Sequence, residues 1–141
     1  MYLHIHSYED NNMNTLTGGK KIGFYVITTA LTAAFLMAGG MKVSGQAPMI
    51  ESFQHFGLPM WFMYFIGTAE ILGAIALWLP RLSALSASGL MVIMAGAFTM
   101  HAIHDPLQQA VPAVVFTILL AIIVKVRLPL IQRESLAAKA L

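Results

Sequence analysis

Glu70 is the residue whose position most needs a reason, because it is the only acidic residue in the apolar run 58–79. A carboxylate near the centre of a membrane helix costs about 2.5–3.5 kcal/mol even on insertion-based scales, so such a group faces protein. Its helical neighbours three and four residues away are Ile66, Gly67, Gly73 and Ala74. That is a mostly small face, which lets another helix approach closely. Counted from the helix ends, Thr28, Thr29, Thr32, Ser88 and Thr117 fall near the same depth and offer hydroxyl partners. Lys42 is expected near the opposite membrane surface from Lys20 and Lys21, about 15 Å from Glu70 in depth at ~1.5 Å rise per residue. The sequence therefore predicts a neutral, hydrogen-bonded Glu70 without a basic partner. Inter-helix glue is the simplest role for it, and a proton-carrying or ligand-binding role, with Thr28, Thr32, Thr117 and Lys42 around it, is the alternative.

A second set of polar residues lies between the apolar runs: Lys42, Glu51 and His55 in one segment, and His101, His104 and Asp105 in another. Imidazole serves protons, metals and haem alike. His101 and His104 share a helix face if the helix reaches that far, and His55 can approach from the other segment. A zinc or copper site from His55, His101, His104 and Asp105, or bis-histidine haem, is chemically open, but polar residues at the membrane interface is the preferred reading. No metal or haem is therefore expected. His4 and His6 fall on the other side of the membrane from this cluster.

The elements that must hold these residues follow from composition. The chain has 141 residues, 58% hydrophobic and 10% charged, with a mean hydropathy of +0.75. That balance makes lipid its main solvent. Four apolar runs, at 22–39, 58–79, 82–100 and 110–126, each approach the roughly 20 residues that cross a bilayer as a helix. They are continuously apolar and lack the alternation of a membrane barrel, so the expected fold is an all-α integral membrane four-helix bundle. Pro59 and Pro112 fit first helical turns, while Pro80 and Pro129 are expected to follow helix ends. Trp61, Tyr64 and Trp78 suit an aromatic belt at the membrane surface.

Orientation follows from the basic residues. With four crossings, Lys20, Lys21, Arg81, Lys125, Arg127, Arg133 and Lys139 share one side, against Lys42 on the other. This bias predicts both termini in the cytoplasm. A signal peptide in the first run is disfavoured, since the remaining runs would then carry the basic C-terminus across. Residues 1–21 are expected to be a flexible cytoplasmic tail, with Met13 an alternative start, 22–128 the transmembrane domain, and 129–141 a cytoplasmic tail able to lie along the interface as a short amphipathic helix.

Several function classes are excluded. The chain has no Cys, which removes thiol relays, disulfides, cysteine-ligated iron–sulfur clusters and thiolate zinc sites. A net charge of +2 spread between apolar runs gives no nucleic-acid patch. No nucleophile–base–orienter set, phosphate loop or paired carboxylates occur, so a stand-alone enzyme is not expected. The ten methionines are scattered through the apolar runs as pliable packing.

The segments Leu36-Met37-Ala38-Gly39-Gly40-Met41-Lys42, Phe56-Gly57-Leu58-Pro59, Gly67-Thr68-Ala69-Glu70-Ile71-Leu72-Gly73-Ala74 and Met94-Ala95-Gly96-Ala97 with His101 resemble the DoxX-like family of small four-helix membrane proteins. The resemblance covers about 22–127. It implies a bundle in a bacterial cytoplasmic membrane and an association with quinone-linked redox, since some relatives are subunits of thiosulfate or quinol oxidoreductases. Lys42 and Glu70 match the family pattern directly. The function this implies is an accessory subunit of a quinone-linked redox system that binds a small apolar ligand, with quinone as the cofactor to look for. A non-enzymatic membrane assembly factor and a small proton-coupled transporter are the alternatives. Besides the bilayer, a redox enzyme, another membrane protein or a second copy are the partners left open, and nucleic acid is not among them.

Overall fold

The structure, a computed structural model, describes residues 18–139. The expectations for a flexible stretch at 1–17, for His4 and His6 and for Met13 lie outside the described residues. Among the described residues five α-helices follow in order: α1 (Gly18–Val43), α2 (Ala47–His55), α3 (Met60–Ala76), α4 (Pro80–His104) and α5 (Val111–Lys139), with a 3-10 turn at Leu107–Ala110 before α5. No strand occurs among the described residues. Such apolar sequences must satisfy every backbone group within the segment, and the helix does so locally.

Stretches 18–43, 80–104 and 107–129 are each long and apolar enough to cross a membrane. Helices α2 and α3 reach that standard only together, and they are bent by 119° relative to each other. The 17 residues of α3 span only about 25 Å on their own. The chain is thus a multi-pass, all-helical membrane protein, with α1, α3, α4 and α5 as the long members of the bundle.

The core is formed where the four long helices meet, around Phe24, Leu31 and Phe35 of α1, Ala74 of α3 with Leu77 just beyond it, Ala87, Leu90 and Met94 of α4, and Ala113, Leu120 and Ile123 of α5. Gly73 of α3 admits Leu90, whose Cδ2 would lie 2.8 Å from a Cβ at that position. The adjacent Ser86 hydroxyl donates to the Gly73 carbonyl at 2.6 Å. α3 and α4 are therefore held both by shape and by a side-chain hydrogen bond to backbone.

The observed boundaries depart from the expected ones in four places. α1 begins at Gly18 and runs to Val43, so Lys20, Lys21 and Lys42 are helical. The expected loop at 40–57 contains α2, which opens with Pro48 in its first turn and buries Phe53. Glycines with positive φ, Gly45 at 63° and Gly57 at 68°, stand on either side of it. At each, the next amide donates five residues back: Gln46 to Met41 at 3.1 Å and Leu58 to Phe53 at 2.8 Å. These paired C-terminal caps let the chain stop one helix and turn into the next within three or four residues.

Prolines mislead at the other end. Pro80 is the first residue of α4, not the residue after a helix, and Pro129 lies inside α5. At a first turn the missing N–H costs nothing, whereas Pro129 removes one helical hydrogen bond and the helix continues past it. The tail expected from residue 129 is thus a continuation of α5 to Lys139. Side chains of Arg133, Glu134 and Lys139 lie outside the described residues.

Candidate functional site

The polar residues expected at two levels separate into three arrangements. The first is an ion pair: Lys42 Nζ of α1 lies 2.8 Å from Glu70 Oε2 of α3. The side chains are 13% and 3% exposed. The expectation that no basic residue could reach Glu70 is overturned by this contact. The reason lies in register and in side-chain direction. A Cβ on Gly39 would meet the Gly67 carbonyl oxygen at 2.6 Å, Ile71 Cγ1 at 2.8 Å and Glu70 Cβ at 3.2 Å, so Glu70 stands level with Gly39. Lys42 is three residues, or about 4.5 Å, beyond that level, not 15 Å.

Helical side chains lean toward the N-terminus of their helix. Since α1 and α3 run antiparallel, Lys42 leans down α1 toward Glu70, and Glu70 leans up α3 toward Lys42. The small residues make the approach possible. A Cβ on Gly67 would lie 2.7 Å from Lys42 Cβ and 2.9 Å from the Gly39 carbonyl oxygen. Glycine at both positions is what allows the two backbones to touch and the charges to meet. Lys42 also donates to the Ala38 carbonyl at 3.4 Å. An ammonium has three donors, so a third N–H remains beyond these two contacts.

The second arrangement concerns the hydroxyls, which do not gather around Glu70. Thr28 donates to Phe24 O at 2.8 Å and Thr117 to Ala113 O at 2.7 Å, each to the carbonyl one turn back in its own helix. Thr32 accepts the Trp78 indole N–H at 2.9 Å and donates to Ala74 O at 3.5 Å. Ser88 donates to Ala84 O at 2.9 Å. With Glu70 level with Gly39, Thr28 and Thr32 lie eleven and seven residues away along α1, about 16 and 10 Å, so the expected common depth does not hold. Thr28, Ser88 and Thr117 bond carbonyls of their own helices, as is usual for Ser and Thr, and Thr32 bonds across to α3.

The third arrangement lies at the α2 end of the bundle. Asp105, the residue that ends α4, is held between two imidazoles. With Nδ1 protonated, His101 donates to Asp105 Oδ2 at 2.7 Å. His55 Nε2, from the end of α2, is 3.3 Å from Asp105 Oδ1 and 3.4 Å from the His104 carbonyl oxygen. His104 Nδ1 faces the Met100 carbonyl at 3.0 Å, so it joins the cluster through its backbone and ring. Phe56 packs among the three rings, with centroids 5.6 Å from His55, 5.2 Å from His101 and 5.5 Å from His104. Glu51, exposed on α2, stands one turn before His55.

This cluster clasps α2 to the end of α4. Among the described residues, no group of three or more His, Asp and Glu side chains is arranged around a common point that could hold a metal ion. The rings point their nitrogens at a carboxylate and at backbone carbonyls, and Phe56 fills the space between them.

Sequence reasoning singled out Lys42, Glu70, His55, His101 and Asp105 but missed Gly39 as the partner of Gly67. The signal was present in the paired Gly39-Gly40 three residues before Lys42 and in Gly67 three residues before Glu70.

The model of the DoxX-like family matches residues 26–123, a stretch that includes Gly39, Lys42, Gly67 and Glu70. The uncharacterized protein YdgD of Bacillus subtilis (strain 168) is 40% identical over 75 residues, covering 49% of the chain and 65% of that relative. The chain thus spans about two thirds of the length of that relative, just under it. No solved structure is significantly similar to the chain.

Proposed function

The chain belongs to the DoxX-like family, and on that premise we propose that it is an accessory subunit of a quinone-linked redox system, holding a small apolar ligand beside Lys42 and Glu70. The observation that carries this reading is the Lys42–Glu70 pair itself, at 2.8 Å between α1 and α3 where Gly39 and Gly67 let them touch. The unused N–H of Lys42 suits a carbonyl oxygen, and the adjacent carboxylate suits proton exchange with the same group. A quinone head carries such oxygens on an apolar ring. The fit is for a ligand approaching from the lipid side of the pair, since Lys42 is 13% exposed and Glu70 only 3%. The threonine hydroxyls are not part of this reading, because their bonds are made elsewhere.

The test is to purify the protein in mild detergent and measure retained quinone by mass spectrometry of the lipid extract. Wild type retains it and Glu70→Gln, which keeps size and hydrogen bonding but removes the charge, loses most of it. A wild type that holds no quinone and shows no change on reduction overturns the reading.

The location belongs to the same proposal: a bacterial cytoplasmic membrane with both termini inside. What supports it is the excess of basic residues at the end of the bundle opposite Lys42. A chain without Cys makes labelling clean. A single cysteine at Gln108 reacts with an impermeant maleimide in intact cells, and one at Lys125 does not; the reverse pattern inverts the topology.

A second reading, an assembly partner for other membrane proteins, has one observation in its favour. Gly89 and Gly96, seven residues apart on the exposed face of α4, have nothing within 4 Å of an added Cβ. Such a face admits a foreign helix. Co-purification of one membrane protein, lost in Gly89→Leu with Gly96→Leu, distinguishes this reading. The transporter reading loses its support, since it rested on a lone mid-membrane carboxyl and Glu70 is paired.

A further inference from the structure

The 119° bend between α2 and α3 lays α2 across one end of the bundle, not along it. Its first residue, Ala47, follows closely on Lys42 of α1. Its last, His55, reaches the end of α4, where Nε2 stands 3.3 Å from Asp105 Oδ1. A helix of 9 residues covers about 13 Å, enough to pass from one helix of a bundle to a neighbour about 8–10 Å away. The Gly45 amide donates to the Lys42 carbonyl at 3.2 Å, so the near end of α2 is anchored within a turn of Lys42. α2 is thus a strap over the end of the bundle nearest the ion pair.

Little holds the strap down. Phe53 is the one residue of α2 that is buried. The polar contacts of His55 with Asp105 and with the His104 carbonyl tie its far end to α4, and the His55 side chain is 56% exposed. Each end also carries a swivel. Gly45 and Gly57 have φ of 63° and 68°, a region that glycine enters without the steric cost other residues meet. An added Cβ at Gly57 would meet nothing within 4 Å, and one at Gly45 would meet the Tyr64 hydroxyl at 3.3 Å, so neither turn is packed in tightly. A short element with one buried side chain and exposed polar contacts opens locally at low free energy. Residues at its ends absorb the change in backbone angles.

We propose that α2 is a hinged strap that admits water to the Lys42–Glu70 pair when His55 leaves Asp105 and excludes it when the two meet. Its purpose rests on the reading of that pair as a ligand site: the apolar ligand reaches the pair from lipid, and the protons exchanged there come from water at the end that α2 covers. With the strap closed, the Lys42 side chain is 13% exposed and that of Glu70 only 3%. Asp105 is the latch. Its other carboxylate oxygen is held by His101 at 2.7 Å within α4, so it stays oriented whether or not His55 is in place.

The test is the rate at which a water-soluble acetylating ester modifies Lys42, read by peptide mass spectrometry of the full-length protein in detergent and divided by the rate at the exposed Lys125. Asp105→Asn raises this ratio about three- to fivefold, the effect of losing a partly exposed charged contact. Glu51→Gln, which removes a charge from the exposed side of α2, leaves it unchanged. The double variant His55→Cys with Asp105→Cys, joined by a short bifunctional thiol reagent, gives a ratio below that of wild type, and cleaving the link with reductant raises it above wild type. The chain has no Cys of its own, so the reagent acts at that pair alone. A ratio equal in wild type and Asp105→Asn, an equal rise in Glu51→Gln, or a link that does not lower the ratio overturns the proposal. Linking and release compare one protein with itself, so a change in folding does not produce the result. Quinone is absent from every arm, so the strap can fail while the ligand reading stands, and the reverse.

Discussion

Glu70 and Asp105 each meet cationic or potentially cationic partners, and the contrast between them shows what packing does to the same chemistry. Glu70 meets Lys42 where two helices cross, with 3% of its side chain exposed. Asp105 meets His55 and His101 where a short helix folds over the end of α4, and the His55 side chain is 56% exposed. The first contact depends on Gly39 and Gly67, which let two backbones touch. The second depends on a four-residue spacing within one helix and on the turn at Gly57 that brings His55 back. In a low-dielectric setting a charge left without its partner is costly, whereas water replaces a lost partner cheaply. The pair between α1 and α3 is therefore tied to the fold, and the clasp is an adjustable surface feature.

The largest effect is expected at the pair. Lys42→Met leaves a buried carboxylate alone and lowers stability by about 3 kcal/mol, read as the shift of the unfolding transition in detergent. If the loss is below about 1 kcal/mol, the setting is wetter than its burial implies. Next comes the crossing point. Gly67→Ala places a methyl 2.7 Å from Lys42 Cβ and 2.9 Å from a backbone oxygen. Backbones must part, at about 1–3 kcal/mol, and crosslinking between cysteines introduced at Ala38 and Ile71 slows accordingly. The smallest effect belongs to the clasp. Asp105→Asn costs under about 1 kcal/mol of global stability but speeds hydrogen exchange in α2 relative to α1. Unchanged exchange in α2 would mean that Phe53 and Phe56, not the carboxylate, hold that helix down.

How much of this could be read from the sequence depends on which physical rule was in control. Lipid imposes a near-uniform demand for apolar length, so the four long segments were legible from hydropathy alone. α2 was not, because nine residues with Glu51 and His55 carry no such demand and their helix is set by Pro48 and by burial of Phe53. Pro129 was read as a helix end by local preference, which the continuing helix overrides. Lys42 and Glu70 were both singled out, yet their contact was missed. Depth had been counted from expected helix ends, while the actual level is set by the Gly39–Gly67 crossing and by side chains that lean toward each other. The threonines failed for the same reason: with Glu70 level with Gly39, Thr28 lies eleven residues, about 16 Å, away along α1, and its hydroxyl bonds the Phe24 carbonyl one turn back.

The central claim is that Lys42 and Glu70 act as one unit, and a double-mutant cycle with Lys42→Met, Glu70→Leu and the combined variant tests it most directly. Measured by unfolding in the same detergent, the combined variant should be more stable than the sum of the single losses predicts, with a coupling free energy above about 1 kcal/mol. Additive losses, with coupling indistinguishable from zero, would contradict the account.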